Sequence, residues 1–296
     1  MNYDIRPLDI FDLQTKKDVS RFLNIIFEQD FSRDELQLKT YTKSKAFPSL
    51  YMGAYYDDEL IGFNCFISHD LIYNGEIVNC YQTCLSSVHP KHRGTIFISL
   101  IEEAKKILRQ RGAGFIFGWP SRSSHLVYTK SLKFRDDFLG IKLNIPASTL
   151  LSRAFFIKWS EEKELSVRDA FLQNDFQLLR LKQQKSGDTI KIIHDENLIW
   201  GKIRTRKVGF LNLAYFSVGG MIIANPYLLQ NTFAKLIREH AITWVQVILH
   251  HSHTMAHLFI KPIPSRRFEP LIVYDLNART SERTKFNFMD GIKDVY

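Results

Sequence analysis

The sequence predicts an α/β (α+β) protein of two tandem domains, each with a mixed, mainly antiparallel sheet flanked by helices. Its 296 residues exceed the usual size of one domain, which is about 100–200 residues. The predicted order of elements in the first half, β-β-β-α-β-α-β, recurs in the second half when Phe115 is aligned with Trp244. We therefore expect one domain at residues 1–150 and a second at residues 151–296.

Two turn signals predict the first antiparallel strands. Asp57-Asp58-Glu59 separates the apolar segments 50–56 and 60–67, a pattern that is typical of a hairpin. Asn74-Gly75 is a stronger two-residue signal, and it pairs the residues before it with a strand at 77–88. Three consecutive antiparallel strands follow from these two turns.

The remainder of the first half alternates between helical and strand patterns. A helix is expected first, because apolar residues recur every three or four positions, and Gly112 is expected to end it. Its apolar face consists of Phe97, Leu100, Ile101, Ala104, Ile107 and Leu108. A strand at 115–117, a serine-capped helix at 121–131 and a strand at 134–143 complete the half.

The second half carries the same succession. A helix with an apolar face at Leu229, Phe233, Leu236 and Ile237 follows three strands. The predicted strands are 189–193, 198–203, 210–218, 243–249 and 271–276, with a helix beginning in 253–259. The boundary between the halves is expected within 145–159, where Pro146-Ala147-Ser148 interrupts the strand pattern.

Composition and charge indicate which partners the protein binds and in which compartment it lies. The formal net charge is +9, but no run of five or more Lys and Arg marks a nucleic-acid tail, so phosphate-bearing small molecules fit equally well. The three cysteines show no C-x-x-C spacing, which predicts neither disulfides nor a zinc site. The N-terminus lacks a secretory pattern and no apolar run reaches about 18 residues, so we expect a cytoplasmic protein without a membrane or nucleic-acid partner.

The segment from Val88 to Thr95, VHPKHRGT, carries the most specific chemical signal. It lies between the third strand and the long helix, where exposed backbone N–H groups and the helix dipole favour a pyrophosphate. Gly94 permits close backbone approach, and Arg93 offers a bidentate phosphate donor. An ordinary surface turn with a basic residue is the alternative interpretation, and the octapeptide alone favours neither.

The same segment resembles the GNAT acyltransferase superfamily, whose strand-loop-helix element reads V-x-P-x-x-R-G-x-G-x-G. Val88, Pro90, Arg93 and Gly94 match this pattern, whereas the later glycines are missing. The resemblance implies that acyl-CoA, either acetyl-CoA or a hydroxyacyl-CoA, is a co-substrate and that no cofactor is tightly bound. It also implies that the backbone amides that hold the pyrophosphate are those of Thr95, Ile96 and Phe97.

A second segment, residues 118–134, resembles the G-F-P-N-x-N-S-(x)4-K-K-L-G-W stretch of tandem GNAT proteins from polysaccharide loci. Ser121 replaces the usual asparagine and Lys133 the usual glycine, while the length is the same. This resemblance implies an enzyme of O-antigen, lipopolysaccharide or capsule synthesis. The implied acceptor is a nucleotide-linked amino sugar such as a dTDP-3-amino-3,6-dideoxyhexose.

The resemblance also implies individual roles. The backbone N–H of Ser86 is expected to stabilise the oxyanion, and Val88 to pair its backbone with the pantetheine arm. Ser124 is assigned to CoA binding, and Tyr128 to protonation of the leaving CoA thiolate. A purely structural Tyr128 that anchors its helix to the sheet is the alternative.

The general base has no evident candidate on the third strand. The positions where family members place it hold Gln82 and Cys84, and neither is a good proton acceptor near neutral pH. Either water alone serves as the base, or the base lies elsewhere in the chain. The candidates for the base or the acceptor contacts are His69, Asp70, His89, His250, His251 and His253.

The second half is expected to hold neither a metal nor a second CoA. Four histidines lie within residues 250–257, but no H-E-x-x-H pattern or nearby cysteine accompanies them. The segment before its long helix, Gly219 to Pro226, is apolar and lacks an Arg-Gly pair. One CoA site per chain follows from these observations.

The sequence thus favours direct acyl transfer from acyl-CoA to an amine in a ternary complex, by a monomer or homodimer. Transfer to aminoglycoside, peptide or protein amines and a peptide-bridge enzyme that uses aminoacyl-tRNA are the enzymatic alternatives. A non-catalytic pair of GNAT-like modules that binds nucleic acid or protein is the alternative outside the enzymes. The phosphate loop is one residue shorter than in the family pattern, and this difference and the missing general base favour this last possibility. The retained Arg93, Gly94 and Tyr128 oppose it.

Overall fold

The computed structural model describes residues 3–28, 47–73, 76–151, 169–172, 189–194, 197–222, 228–250, 270–277 and 285–286. The strands of these residues are β1 (Asp4–Pro7), β2 (Leu50–Tyr56), β3 (Glu59–Tyr73), β4 (Glu76–Val88), β5 (Phe115–Gly118), β6 (Arg135–Pro146), β7 (Asp169–Leu172), β8 (Thr189–His194), β9 (Asn197–Val208), β10 (Leu211–Ile222), β11 (Trp244–His250), β12 (Pro270–Asp275) and β13 (Lys285–Phe286). The helices are α1 (Leu13–Phe27), α2 (Thr95–Gln110), α3 (Arg122–Leu126), α4 (Ala147–Leu150) and α5 (Leu229–His240). A 3-10 turn at Pro90–His92 and a π-helical turn at Val127–Ser131 complete the set.

The chain forms two compact units that are not consecutive halves. One unit contains residues 1–137 together with 270–284, and the other contains 138–269 together with 285–296. The contact boundary therefore falls at residue 137, in contrast to the consecutive domains at 1–150 and 151–296 that the repeat suggests. Pairing with β5 places β12 in the first unit, and pairing with β11 places most of β6 in the second.

The sheet of the first unit is mainly antiparallel. Its described strands run in the order β1-β2-β3-β4-β5-β12, and β4 with β5 is the parallel pair. β12 joins antiparallel to β5, with Asp275 opposite Phe115. Asn277 donates its side-chain amide to the Ala113 carbonyl at 2.9 Å, which ties the end of β12 to the start of β5.

Helices cover this sheet through two separate apolar clusters. α2 packs through residues such as Leu100 and Leu108 into a cluster that also holds Tyr128. α1 packs through Val19 and Leu23 into the other cluster. β1 and α1 were not predicted from the sequence, although the apolar residues of α1 recur at helical spacing.

The second unit has the sheet order β6-β11-β10-β9-β8, again mainly antiparallel. β10 and β11 are its parallel pair, with Tyr215 opposite Trp244. α5 covers the sheet through Phe233 and Leu236, which are buried among the strands' apolar side chains. The predicted fold class, two mainly antiparallel sheets with flanking helices, is confirmed. Within the described part of the chain, none of the helices is both long and apolar enough to cross a bilayer.

A buried ammonium group connects three elements of the first unit. Lys105 of α2 is only 1% exposed, and its Nζ donates to the Leu132 carbonyl and to Glu102 Oε1, both at 2.7 Å. The same Nζ lies 3.9 Å from the ring centroid of Tyr274 in β12, within cation–π distance. Burial lowers the pKa of Lys105, and the hydrogen bond to Glu102 opposes this shift. Lys105 thus joins α2, the turn before β6, and β12.

Lys105→Ala is expected to lower the free energy of unfolding by about 2–3 kcal/mol, because the Leu132 carbonyl loses its donor and the buried side-chain volume is lost. Lys106→Ala is a matched control, since Lys106 also pairs with a glutamate three residues earlier but is 64% exposed. That control should change stability by no more than about 0.5 kcal/mol. Urea denaturation measures both values, and equal losses would contradict the role given to Lys105.

Candidate active site

A β-bulge in β4 shapes the centre of the site. Phe63 lies opposite Ser87 and Cys65 opposite Cys84, so Leu85 and Ser86 together face one residue, Asn64, on β3. Leu85 has φ 51°, a left-handed conformation that is uncommon for a bulky side chain. A bulge of this kind leaves its extra residue outside the ladder. Ser86, which the sequence predicted as the oxyanion donor, lies in this bulge.

Asn64, Thr83, Ser86 and Tyr128 form one hydrogen-bonded cluster at the bulge, here called the bulge cluster. Ser86 Oγ donates to Asn64 Oδ1, and the Asn64 amide donates to Thr83 Oγ1 at 3.1 Å. The Tyr128 hydroxyl lies 3.1 Å from Thr83 Oγ1 and 3.2 Å from Ser86 Oγ. Because the Ser86 proton is directed at Asn64, the lone pairs of Ser86 remain to accept a proton from Tyr128. The phenol is therefore held as a donor.

A π-helical turn positions Tyr128 in this cluster. Ser121 caps α3 by accepting from the Ser124 N–H, and the turn Val127–Ser131 widens the helix directly after it. Such π-turns are frequent at functional sites because they re-aim a side chain. Lys133 follows the turn at φ 59°, where the resembling family segment has glycine.

Burial controls the protonation of Tyr128. The side chain is 3% exposed, and this desolvation raises the pKa of its phenol. Hydrogen bonds from Ser86 and Thr83 oppose the shift. A raised pKa keeps the phenol protonated at neutral pH, which a proton donor requires.

The end of β4 extends beyond its parallel partner. β4 pairs with β5 through Cys80–Gln82, while β5 ends at Gly118 and β4 continues to Val88. A side chain at Gly118 would meet Thr83 Cγ2 at 2.6 Å, so the two strands are still close at this point. Val88, the residue predicted to pair with the pantetheine arm, lies on the extension of β4.

The loop between β4 and α2 ends in an uncapped helix N-terminus. Arg93 is exposed and Gly94 occupies the N-cap position with φ 135° and ψ −121°. No side chain caps the helix, so the first backbone N–H groups, those of Thr95, Ile96 and Phe97, point beyond the end of α2. The φ of Gly94 favours glycine. This geometry is compatible with an anion site, and the assignment of Thr95, Ile96 and Phe97 to it stays a prediction.

The remaining predicted residues fall at different places. His69 is 1% exposed in β3 and its Nε2 lies 3.1 Å from Gln82 Oε1, so it is part of the sheet interior. His89 begins the 3-10 turn, where its Nδ1 accepts from the Lys91 N–H at 3.4 Å. Asp70 is partly exposed in β3. The backbone of His250 ends β11, whereas His251 and His253 lie outside the described residues.

Asn64 and Thr83 are site residues that sequence reasoning missed. They join Ser86 to Tyr128 although 42 positions separate those two along the chain. Thr83 lies between the two base positions of the third strand, Gln82 and Cys84. Successive side chains of a strand point to opposite faces of the sheet, so Thr83 lies on the face opposite to Gln82 and Cys84. Tyr128 contacts the sheet on the face of Thr83.

Comparison with known proteins identifies this arrangement. Residues 11–130 match the family model of the acetyltransferase (GNAT) domain. This part of the chain is therefore similar to the acetyltransferase domain of GNAT proteins. It contains β3, β4, α2 and Tyr128, and therefore the whole bulge cluster. No curated protein sequence matches the chain.

Solved structures show that the fold of GNAT proteins extends over the rest of the chain. A GCN5-related N-acetyltransferase from Kribbella flavida superposes with a TM-score of 0.66 at 13% identity, over 93% of this chain and 72% of that one. A GCN5-related N-acetyltransferase from Anabaena variabilis gives 0.67 at 11% identity, over 93% and 73%. Eis1 from Mycobacterium abscessus gives 0.63 at 13% identity, over 93% and 74%.

Gly94→Ala is expected to weaken CoA binding and to lower the free energy of unfolding by about 1–3 kcal/mol, since φ 135° strains any residue with a Cβ. Gly112→Ala is the matched control, because Gly112 has φ 75° at the opposite end of α2. Both variants should lose stability in thermal unfolding, but only Gly94→Ala should raise the CoA dissociation constant measured by calorimetry. A normal CoA affinity in Gly94→Ala would place the anion site elsewhere.

Proposed function

We propose that this protein is an acyl-CoA-dependent N-acyltransferase that transfers the acyl group directly to an amine in a ternary complex. One observation carries the proposal: the bulge in β4 brings Ser86 beside a buried, protonated Tyr128 hydroxyl. Ser86 supplies a hydrogen-bond donor for the developing oxyanion, and Tyr128 supplies an acid for the leaving thiolate. Direct acyl transfer requires these two groups.

The anion site before α2 supports CoA as the donor. The helix N-terminus offers backbone N–H groups at Gly94 without a competing side-chain cap, and the exposed Arg93 adds a cation that can bind a phosphate through two hydrogen bonds. The end of β4 joins this loop directly to the bulge. A pyrophosphate at the helix and a thioester at the bulge would be connected along one strand.

The reaction follows from these placements. The amine nitrogen attacks the thioester carbon, and the charge that develops on the carbonyl oxygen is stabilised by the Ser86 backbone N–H, an interaction commonly worth about 3 kcal/mol of barrier. When the carbon–sulfur bond breaks, the electron pair stays on sulfur and the Tyr128 hydroxyl supplies the proton. Thr83, which accepts from the Asn64 amide and keeps its own hydroxyl proton, donates to the phenolate for its short lifetime. The nitrogen loses one proton to water as the amide forms, and a proton from water then restores the phenol.

For the acceptor we propose a nucleotide-linked amino sugar. Its basis is the likeness of residues 118–134 to the tandem enzymes of polysaccharide loci, together with the net charge of +9, which suits two pyrophosphate-bearing ligands. The assignment of acceptor contacts to His250, His251 and His253 stays a prediction.

Tyr128→Phe is expected to lower kcat at least tenfold with little change in either KM, because the proton is transferred only in the transition state. Tyr81→Phe is the control, since Tyr81 is equally buried but its hydroxyl donates to the Pro48 carbonyl away from the bulge. Release of CoA thiol from acetyl-CoA measures turnover. The parent enzyme should also keep its turnover as the pH approaches about 10, where an ordinary tyrosine ionises. Normal turnover in Tyr128→Phe would make this side chain purely structural.

The acceptor is tested separately from the donor. Thermal unfolding is followed with acetyl-CoA present, adding in turn a dTDP-linked 3-amino-3,6-dideoxyhexose, an aminoglycoside and an amine-bearing peptide. A ligand at 100 times its dissociation constant should stabilise the protein by about 2.7 kcal/mol. We expect stabilisation by the nucleotide sugar alone, and a preference for either of the other amines would overturn the sugar assignment while leaving acyl transfer intact.

A further inference from the structure

The β9–β10 hairpin extends beyond the rest of its sheet. The pairing of β8 with β9 reaches Lys202, and the pairing of β11 with β10 begins at Tyr215. Residues 204–214, here called the ribbon, are paired only with each other among the residues that the structure describes. Within the described residues, no other strand pairs with either edge of the ribbon.

The tip of the ribbon is apolar and exposed. Val208 pairs with Leu211, and Gly209, at φ 61°, forms the turn between them with Phe210. Phe210 is 90% exposed, and Val208 and Leu211 are each 51% exposed. Turn positions usually hold polar residues, so a group of large apolar side chains at a hairpin tip indicates a partner that covers them.

The paired strands of the ribbon next to its tip carry basic side chains. Arg204, Arg206 and Lys207 are exposed, and residues 201–214 contain no Asp or Glu. Arg204 lies opposite Tyr215, and Arg206 lies opposite Leu213, so the two guanidinium groups share one face with apolar residues. None of the three cations forms an ion pair within the described part of the chain. Their charge is therefore directed at an anionic partner.

We infer that the ribbon docks on an anionic phospholipid surface. An apolar tip followed by cations is complementary to the surface of a bilayer. Phe210 would enter the boundary between headgroups and acyl chains, and the arginines would contact lipid phosphates. A nucleic acid would satisfy the cations but would leave Val208 and Leu211 without an apolar partner. A second copy of the ribbon would bring like charges together. This inference does not depend on the proposed chemistry, and it differs from the expectation that no membrane is involved.

Vesicle co-sedimentation of the full chain tests the inference. We expect binding to vesicles of equal parts phosphatidylcholine and phosphatidylglycerol, weakening as salt rises, and no binding to pure phosphatidylcholine. Each cation removed should weaken binding about fivefold, and the triple variant R204Q/R206Q/K207Q about 100-fold. The control K17Q/R21Q/K106Q removes the same charge from exposed positions of the first unit and should bind as the parent does.

A probe at the tip distinguishes insertion from general attraction. Phe210→Cys can be labelled with an environment-sensitive fluorophore, because the three native cysteines are buried. A blue shift of its emission on mixed vesicles supports insertion of the tip. Three results would overturn the inference: equal binding by the triple variant and the parent, ribbon-dependent binding of RNA without binding of vesicles, or a dimer in solution that Phe210→Asp dissociates.

Discussion

The bulge at Leu85 and Ser86 is the constraint on which the candidate active site depends. A regular ladder at this point would align Ser86 with a partner on β3 and leave no group for the substrate. The two-against-one pairing instead presents Ser86 to Asn64 and Tyr128. The left-handed conformation of Leu85 costs about 1–2 kcal/mol relative to the extended one, and the hydrogen bonds of the bulge cluster offset that cost. Strain at such a position is typical of sites that must hold one geometry.

The first unit of this N-acyltransferase is completed by a distant segment. β12 lies more than 150 residues from β5 along the chain, and Arg109 of α2 donates to the Tyr274 hydroxyl at 2.7 Å and to the Leu276 carbonyl at 3.2 Å. Together with Lys105 these contacts hold β12 against the element that carries the anion site. A pair of tandem domains with this connection cannot be separated into halves without breaking a sheet. Each unit nevertheless has its own core.

In the second unit, the ribbon carries exposed cations together with exposed apolar side chains. The core of this unit is buried around Phe216 and Phe233, while the ribbon leaves Phe210 exposed. Packing of the core does not stabilise the tip, and an isolated two-stranded hairpin is marginally stable in water. An additional partner would stabilise it. The cations of the ribbon also contribute to the net charge of +9, whose position on the surface the composition alone does not predict.

Local patterns in the sequence were sufficient to predict most elements. Turn residues and apolar periodicity predicted the hairpin strands, α2 and α5, and the segment from Val88 to Gly94 predicted a loop between β4 and α2, where we propose the anion site. These features depend on neighbours within a few residues, so the sequence by itself determined them. The bulge, the contact of Thr83 with Tyr128 and the insertion of β12 were decided only by the tertiary structure. Each of these features joins residues that are far apart in the chain, and 45 positions separate Thr83 from Tyr128. The periodicity of a sequence predicts local elements, but it does not predict which distant side chains form a hydrogen bond or which distant strands pair.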